Sequence, residues 1–211
     1  MQAAVKARLS VPHSPTPQAA PSISLVMIFL NFTTTISLAF PFYTSYVALP
    51  RMMVDMSADL DTIQWVLTAF AMAQTVMMPM VGWLTGLMGH RRLYLGSVVL
   101  FCVGSVLSGL AWSIASLIAF QVLSGIGVGL MQPMIMAIIY QMFPPSQRGL
   151  AMGLSMIGWS VGPAIGPLLG GYLMEVFNWR SAFYAAVPLG VAGFICSLLF
   201  LPHLPRPPRK V

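Results

Sequence analysis

The placement of the charged residues constrains the fold of this chain more than any other feature. Only 7% of the residues are charged and 58% are hydrophobic, whereas soluble domains carry roughly a quarter charged residues. Charged residues are absent between Arg8 and Arg51, Asp61 and Arg91, Arg92 and Arg148, Arg148 and Glu175, and Arg180 and Arg206. Each gap is long enough to cross a hydrocarbon core of about 30 Å as an α-helix. The sequence therefore predicts an all-α, polytopic membrane protein.

The net charge of +6 raises the question of nucleic-acid binding. The basic residues do not form a periodic face with aromatic residues between them; they separate the apolar segments, as in membrane proteins. The chain also lacks a P-loop and the ligand spacing of a metal site. We therefore expect the lipid bilayer as a partner, and no nucleic acid, metal, cofactor or enzymatic activity.

Six transmembrane spans are predicted from the apolar runs and the residues that interrupt them. Prolines end the first and sixth runs, a basic cluster at His90 follows the second, and Trp112 divides a run too long for one span. The predicted spans are residues 25–49, 63–87, 93–110, 114–140, 149–176 and 181–201. The proline-rich residues 1–24 are predicted to be a disordered tail, and residues 202–211 a basic tail.

The distribution of Lys and Arg predicts the orientation, because these residues stay in short cytoplasmic loops. With the N-terminus inside, the outer loops hold only Arg51 and Arg180, together with the acidic residues. The inner side holds Lys6, Arg8, Arg91, Arg92, Arg148, Arg206, Arg209 and Lys210. Both termini are therefore predicted to be cytoplasmic, with the chain in the cell (inner) membrane.

The fifth predicted span has the sharpest local pattern. It consists of Gly158, Gly162, Pro163, Gly166, Pro167, Gly170 and Gly171. The glycines that recur every four residues leave one helix face without side chains, so another backbone can pack on it directly. The two prolines each remove a backbone donor and predict a bend in the helix.

This pattern resembles motif C of the major facilitator superfamily, the signature of its proton-driven antiporters. Residues 46–50, 64–70, 82–93, 117–129 and 178–190 resemble further motifs of the drug:proton antiporter-2 family, in the expected order. The segment 82–93 resembles motif A and contains Gly82, Gly89, Arg91 and Arg92. Together the matches resemble the N-terminal six-helix half of the family's fold, a 3+3 helix repeat.

Several charges that the family usually carries are missing here. The family usually has an acidic residue where this chain has Gly86, an arginine where it has Gln121, and an aspartate where it has Pro41. No Asp, Glu, Lys or Arg lies inside the predicted spans away from their ends. The sequence therefore predicts no proton-relay residue of the usual kind.

Uncharged polar residues within the spans are the candidates for a substrate cavity. They are Asn31, Thr35, Tyr43, Gln74, Gln121 and Gln132. For Gln121 two interpretations stay open: a hydrogen bond to substrate, or a cross-link between helices. Two interpretations also stay open for Arg91 and Arg92. They could hold the cytoplasmic end of the bundle by binding carbonyls at a helix C-terminus or anionic lipid. Alternatively, they serve only as a topology signal. His90 is expected to be solvated.

The resemblance implies proton-driven export of drug-like, amphipathic compounds by alternating access. In this superfamily the substrate site lies near the bilayer midplane between two six-helix halves. We therefore expect a small-molecule substrate and, as a partner, a second six-helix half or a second copy of this chain. The alternative is a truncated or transport-silent membrane subunit that binds a partner half and carries nothing itself.

Overall fold

The computed structural model describes residues 42–142 and 145–200, and the regular structure within these ranges is helical. The cavity candidates Asn31 and Thr35 and both predicted tails lie outside the described residues. The elements are α1 (42–55), α2 (Leu60–Met77), a 3-10 turn (Met78–Met80), α3 (Val81–Met88), α4 (His90–Gly109), α5 (Ile114–Met142), α6 (Pro145–Val176), α7 (Ser181–Tyr184) and α8 (Ala186–Phe200).

Four helical stretches within the described residues are long and apolar enough to cross a membrane. They are Leu60–Met88, His90–Gly109, Ile114–Ala137 and Pro145–Val176. The described part of the first predicted span is the start of α1, and the sixth predicted span corresponds to α7 followed by α8. The protein is therefore an all-α, multi-pass membrane protein.

Two predicted spans contain an interruption that the apolar pattern did not indicate. In the second span, Pro79 has no N–H to donate to the carbonyl of Thr75, and the chain forms a 3-10 turn between α2 and α3. In the sixth span, Pro188 cannot donate to the carbonyl of Tyr184, and α7 ends at Tyr184. By contrast, Pro133 lies inside α5 without ending it.

α5 is the central helix, packed between α2 and α4. Glycines permit this close packing. A Cβ atom at Gly127 would lie 2.7 Å from the backbone nitrogen of Phe101 in α4, and one at Gly129 would lie 2.9 Å from Gln74 Cα in α2. Any side chain at either position would push the helices apart, so the two glycines face opposite neighbours and fix the spacing of all three helices.

The two ends of the bundle bury different kinds of residue. At the end predicted to be cytoplasmic, His90 is buried, with 8% of its surface exposed. The expectation that His90 is solvated is therefore wrong, because α4 begins at His90 itself and this residue lies on the buried side of the helix with Leu93 and Tyr94. At the other end, α1, α7 and the α4–α5 turn converge around a second apolar cluster that includes Met52, Ala111 and Trp179.

Candidate functional site

The glycine face of α6 packs against α1. Gly158, Gly162, Gly166 and Gly170 are buried, and the hydroxyl of Thr44 in α1 donates to the carbonyl of Gly166 at 3.1 Å. A Cβ atom at Gly170 would come into contact with the side chain of Thr44. Along the described part of α1 this face therefore contacts protein and not lipid.

The opposite face of α6 is exposed. Pro163 and Pro167 lie on it, next to Ile165, Leu168 and Leu169. Gly171 is not part of the buried glycine face, and a Cβ atom at this position would meet no atom within 4 Å. The predicted motif helix therefore has two sides with different surroundings: a glycine side that is buried in the bundle, and a proline-containing apolar side that is exposed.

Gln74 and Gln132 contact each other. The amide Nε2 of Gln74 in α2 donates to Oε1 of Gln132 in α5 at 2.9 Å, and both side chains are half-buried. The neighbouring Gly129 brings the two backbones together at this point. The pair links α2 and α5 directly across the helix interface.

Gln121 lies elsewhere, with 5% of its surface exposed. It lines a small cavity together with Phe42, Ser45 and Ser124. Tyr43 is half-buried on α1, where its ring stacks edge-on against Phe42 with centroids 5.3 Å apart. The structure therefore does not gather the described cavity candidates into one site: two form a pair, one lines a small cavity, and one belongs to an aromatic cluster.

An open groove of about 520 Å³ runs between α1 and α2, and the sequence analysis missed it. It is lined by Phe42, Tyr46, Leu67, Thr68, Ala71, Met72, Thr75 and Val76. On α2 these residues recur at the three- and four-residue spacings of a single helix face. That periodicity was available in the sequence, but an apolar face with two threonines is equally typical of lipid contact, and only the position of α1 makes it a groove.

The segment resembling motif A forms a tight turn between α3 and α4. Gly89 has φ = 81°, a backbone conformation that favours glycine. Arg91 donates from Nη2 to the carbonyl of Leu198 near the end of α8, at 2.8 Å. Arg92 and Gly82 are exposed. The guanidinium of Arg91 therefore binds a helix C-terminal carbonyl within this same bundle, where a cation is electrostatically favoured.

A polar cluster at the opposite end joins three connections. The indole N–H of Trp179 donates to Asp55 at 2.8 Å, and Arg180 pairs with the same carboxylate at 3.2 Å and donates to the carbonyl of Ala111 at 3.2 Å. The hydrogen bond from Trp179 lowers the pKa of the Asp55 carboxyl below its usual 3.8 and outweighs the opposing effect of burial, and Arg180 lowers the pKa further. The sequence analysis did not predict this cluster.

The described helices and the mostly apolar surface that they expose define a polytopic α-helical membrane protein. Residues 27–211 match the family model of the Major Facilitator Superfamily. The chain therefore belongs to this superfamily of membrane transporters, which confirms the resemblance found in the motifs.

Individual relatives show which members of the superfamily the chain is similar to. The chain is 33% identical over 152 residues to the multidrug export protein EmrB of Escherichia coli K12, an alignment that covers 72% of this chain and 30% of EmrB. It is 30% identical over 163 residues to the uncharacterized MFS-type transporter YhcA of Bacillus subtilis, covering 77% of this chain and 31% of YhcA. The chain thus spans about 30% of the length of these relatives.

Solved structures share the fold. A peptide transporter POT in complex with sulfate superimposes with a TM-score of 0.73 at 19% identity, over 82% of this chain and 37% of the transporter. The POT family transporter PepTSo gives a TM-score of 0.76 at 17% identity, over 87% of this chain and 39% of PepTSo. At these identities the comparison establishes the helical arrangement alone.

Proposed function

We propose that this chain forms one half of a secondary exporter that moves amphipathic, drug-like compounds across the cell (inner) membrane by alternating access. The observation that carries this proposal is the open groove between α1 and α2. Its volume of about 520 Å³ lies within the roughly 300–1,000 Å³ of small-molecule sites. The groove would form one wall of the substrate path.

The chemistry of the groove suits apolar ligands of varied shape. The hydroxyls of Thr68 and Thr75 donate to carbonyls of their own helix, at 3.0 and 2.8 Å, and are thus occupied as donors. Met72 is flexible and polarisable, and Phe42 and Tyr46 add aromatic surface. A surface of this composition binds through shape and apolar contact more than through a fixed set of hydrogen bonds.

A second wall is needed for transport, and the exposed side of α6 supports the proposal of a partner. Pro163, Ile165 and Leu168 are exposed on a helix whose other side is packed. The chain also spans about 30% of relatives that include proteins named multidrug export protein. In this superfamily two halves rock against each other around a shared site. We therefore propose a second six-helix half, or a second copy of this chain, as the partner.

Proton coupling is part of the proposal, but we place it outside the acidic residues of this half. The acidic residues are Asp55, Asp59, Asp61 and Glu175, and each lies in an outer loop or at a helix end. Neutralising all four, with Asp55→Asn to keep an acceptor for Trp179, should leave a proton-dependent flux largely intact. A flux that loses its pH dependence in this variant would contradict the claim.

The second hypothesis is a transport-silent membrane subunit that binds a partner half. The observation in its favour is that Gln74 donates a hydrogen bond to Gln132 and that neither residue lines the groove. A silent subunit needs such cross-links for stability and needs no substrate contacts.

Whole-cell dye efflux distinguishes the two hypotheses. Cells that lack their major exporters would express the chain with and without the remaining two thirds of a full-length relative, and efflux would be measured before and after an uncoupler. Uncoupler-sensitive efflux in the assembled pair supports the exporter. Normal membrane expression without efflux in either setting supports the silent subunit.

A matched pair of variants assigns the effect to the groove. Val76 lines the groove, whereas Val99 is exposed on α4 and does not line it. Val76→Trp fills the groove and should lower efflux or change the dyes accepted, while Val99→Trp should not. Equal efflux in the two variants would argue against this groove as the substrate path.

A further inference from the structure

A small cavity lies where α1, α2, α4, α5 and α7 meet, next to the open groove, and Phe42 and Leu67 line both. Its volume of about 10 Å³ corresponds to about one water molecule by the measure used for buried waters. Four polar residues line it, and the rest of the lining is apolar. The polar residues are Ser45 from α1, Ser105 from α4, and Gln121 and Ser124 from α5.

The hydroxyl of Ser124 is buried without a protein partner. Ser124 has 2% of its surface exposed, and its Oγ has no hydrogen-bond partner within residues 42–142 and 145–200. Buried hydroxyls in folded proteins are nearly always hydrogen-bonded, because an unmade bond costs the full desolvation of the group. This oxygen therefore requires a partner that the side chains around it do not supply.

The other three polar residues bring further donors and acceptors to the same space. Ser45 and Ser105 each have 2% of their surface exposed and Gln121 has 5%. A buried water needs two to four polar partners, and this cavity offers that number. No charged side chain lines it, and a cation there would lie buried without a counter-charge.

We propose that this cavity binds a single water molecule, held by Ser124 and Gln121 on α5 and by Ser45 and Ser105 on the two neighbouring helices. The water connects α5 to α1 and α4 at one point. It also gives Gln121 a role different from a direct contact with substrate: a cross-link between helices that passes through solvent.

Radiolytic labelling of the purified full chain in detergent tests this site. Hydroxyl radicals formed from a bound water oxidise the side chains beside it even when bulk solvent does not reach them. Phe101 and Phe183 line the cavity and have 1% and 2% of their surface exposed. Tyr94 is similarly buried at 4% and does not line it.

The expected result, after correction for intrinsic reactivity, is clear oxidation of Phe101 and Phe183 above that of Tyr94. Rapid mixing with ¹⁸O-labelled water should show delayed incorporation at the two phenylalanines, because a buried water exchanges slowly with bulk solvent. Oxidation of Phe101 and Phe183 no greater than that of Tyr94 in the unmodified chain overturns the proposal, whatever the variants do.

Two variants identify the residues that hold the water. Ser124→Val replaces the hydroxyl and fills the cavity, and it should abolish the labelling of both phenylalanines. Ser155→Val is the matched control, because Ser155 is equally buried on α6 and bonds to its own helix; it should leave the labelling unchanged. If Ser124→Val does not fold, Ser105→Val replaces it with the same expected loss.

Exchanging sodium for choline in the buffer identifies the occupant. Labelling and thermal stability should be unaffected by this exchange if the occupant is water. A melting temperature that rises with sodium in the unmodified chain and not in Ser124→Val would contradict the proposal, because it would place a cation in the cavity.

Discussion

Helices α5 and α6 have similar residue patterns but differ in how many of their faces are packed against other helices. Both contain regularly spaced glycines and an internal proline, and both are apolar enough to cross a membrane. Half of the residues in the apolar stretch of α5 are buried, against 22% in α6. In α5 the glycines face two neighbours, α2 and α4, whereas in α6 Gly166 and Gly170 face α1.

The difference shows that a glycine pattern predicts close packing but does not predict how many faces are packed. α5 is enclosed within the bundle, and its substitutions should act on folding. α6 has one packed side and one exposed side, so its two sides should respond differently to substitution. The exposed side is the one that we assign to a partner half.

The largest effect is expected at Gly127 in α5. Gly127→Leu would place a side chain against the Phe101 backbone and should destabilise the fold at or beyond the upper end of the roughly 1–3 kcal/mol of an overpacked site. Gly96→Leu is the control, because a Cβ atom at Gly96 meets nothing within 4 Å. Membrane accumulation and thermal unfolding in detergent measure both. Equal stability of the two variants would show that α4 and α5 do not pack closely.

A somewhat smaller effect is expected on the glycine side of α6. Gly166→Leu should abolish transport or membrane accumulation, because it forces α6 away from Thr44 in α1. Gly153→Leu, on the same helix where a Cβ atom meets no neighbour, should leave accumulation unchanged. Normal expression and activity of Gly166→Leu would mean that this side meets lipid, and the contrast between α5 and α6 would then fail.

The all-α membrane fold was predictable from the sequence because charge placement and small-residue spacing are local properties of the chain. Whether a proline interrupts a helix was not predictable in the same way. Pro79 and Pro188 accompany interruptions, while Pro133 and Pro163 lie inside helices. All four remove one backbone donor, so the outcome depends on the packing around each proline, which local sequence does not contain.

The contacts between buried polar residues were likewise not predictable from the local sequence. Gln74 and Gln132 are far apart in sequence, and nothing in their local surroundings indicates that one is the other's partner. Gln121 was a reasonable cavity candidate, and it lines the small cavity next to the groove and not the groove itself. The identities of buried polar residues were evident from the sequence, but which of them meet is a property of tertiary packing.

A double-mutant cycle sharpens the comparison at the α2 side of α5. Gln74→Leu and Gln132→Leu should each destabilise the chain by leaving one amide without its partner, and the double variant should recover part of that loss. Interhelical hydrogen bonds in membranes average about 0.6 kcal/mol and reach ~1.7, so a coupling of that size is expected from thermal unfolding. Strictly additive effects would show that the two amides do not interact.

The smallest effect concerns pH at the outer end, where Asp55 joins α1 to the loop before α7. The pKa of Asp55 is lowered in the folded chain, so its contribution to stability is present above pH 3.8 and is lost as pH falls through the folded value. Because the carboxylate is exposed, we expect no more than about 1 kcal/mol. Thermal unfolding of the chain and of Asp55→Asn from pH 7 to pH 3 measures it. A difference between them that grows toward low pH would contradict this assignment.

The most direct test of the central claim, that this chain is one half of a transporter, is a transport assay on a preparation of known mass. The chain would be purified in a mild detergent, its protein mass measured by light scattering, and its activity assayed in liposomes with an imposed proton gradient. We predict either a dimer that transports, or a monomer that is silent until a second half is supplied. A strictly monomeric chain that moves substrate against its gradient would contradict the account.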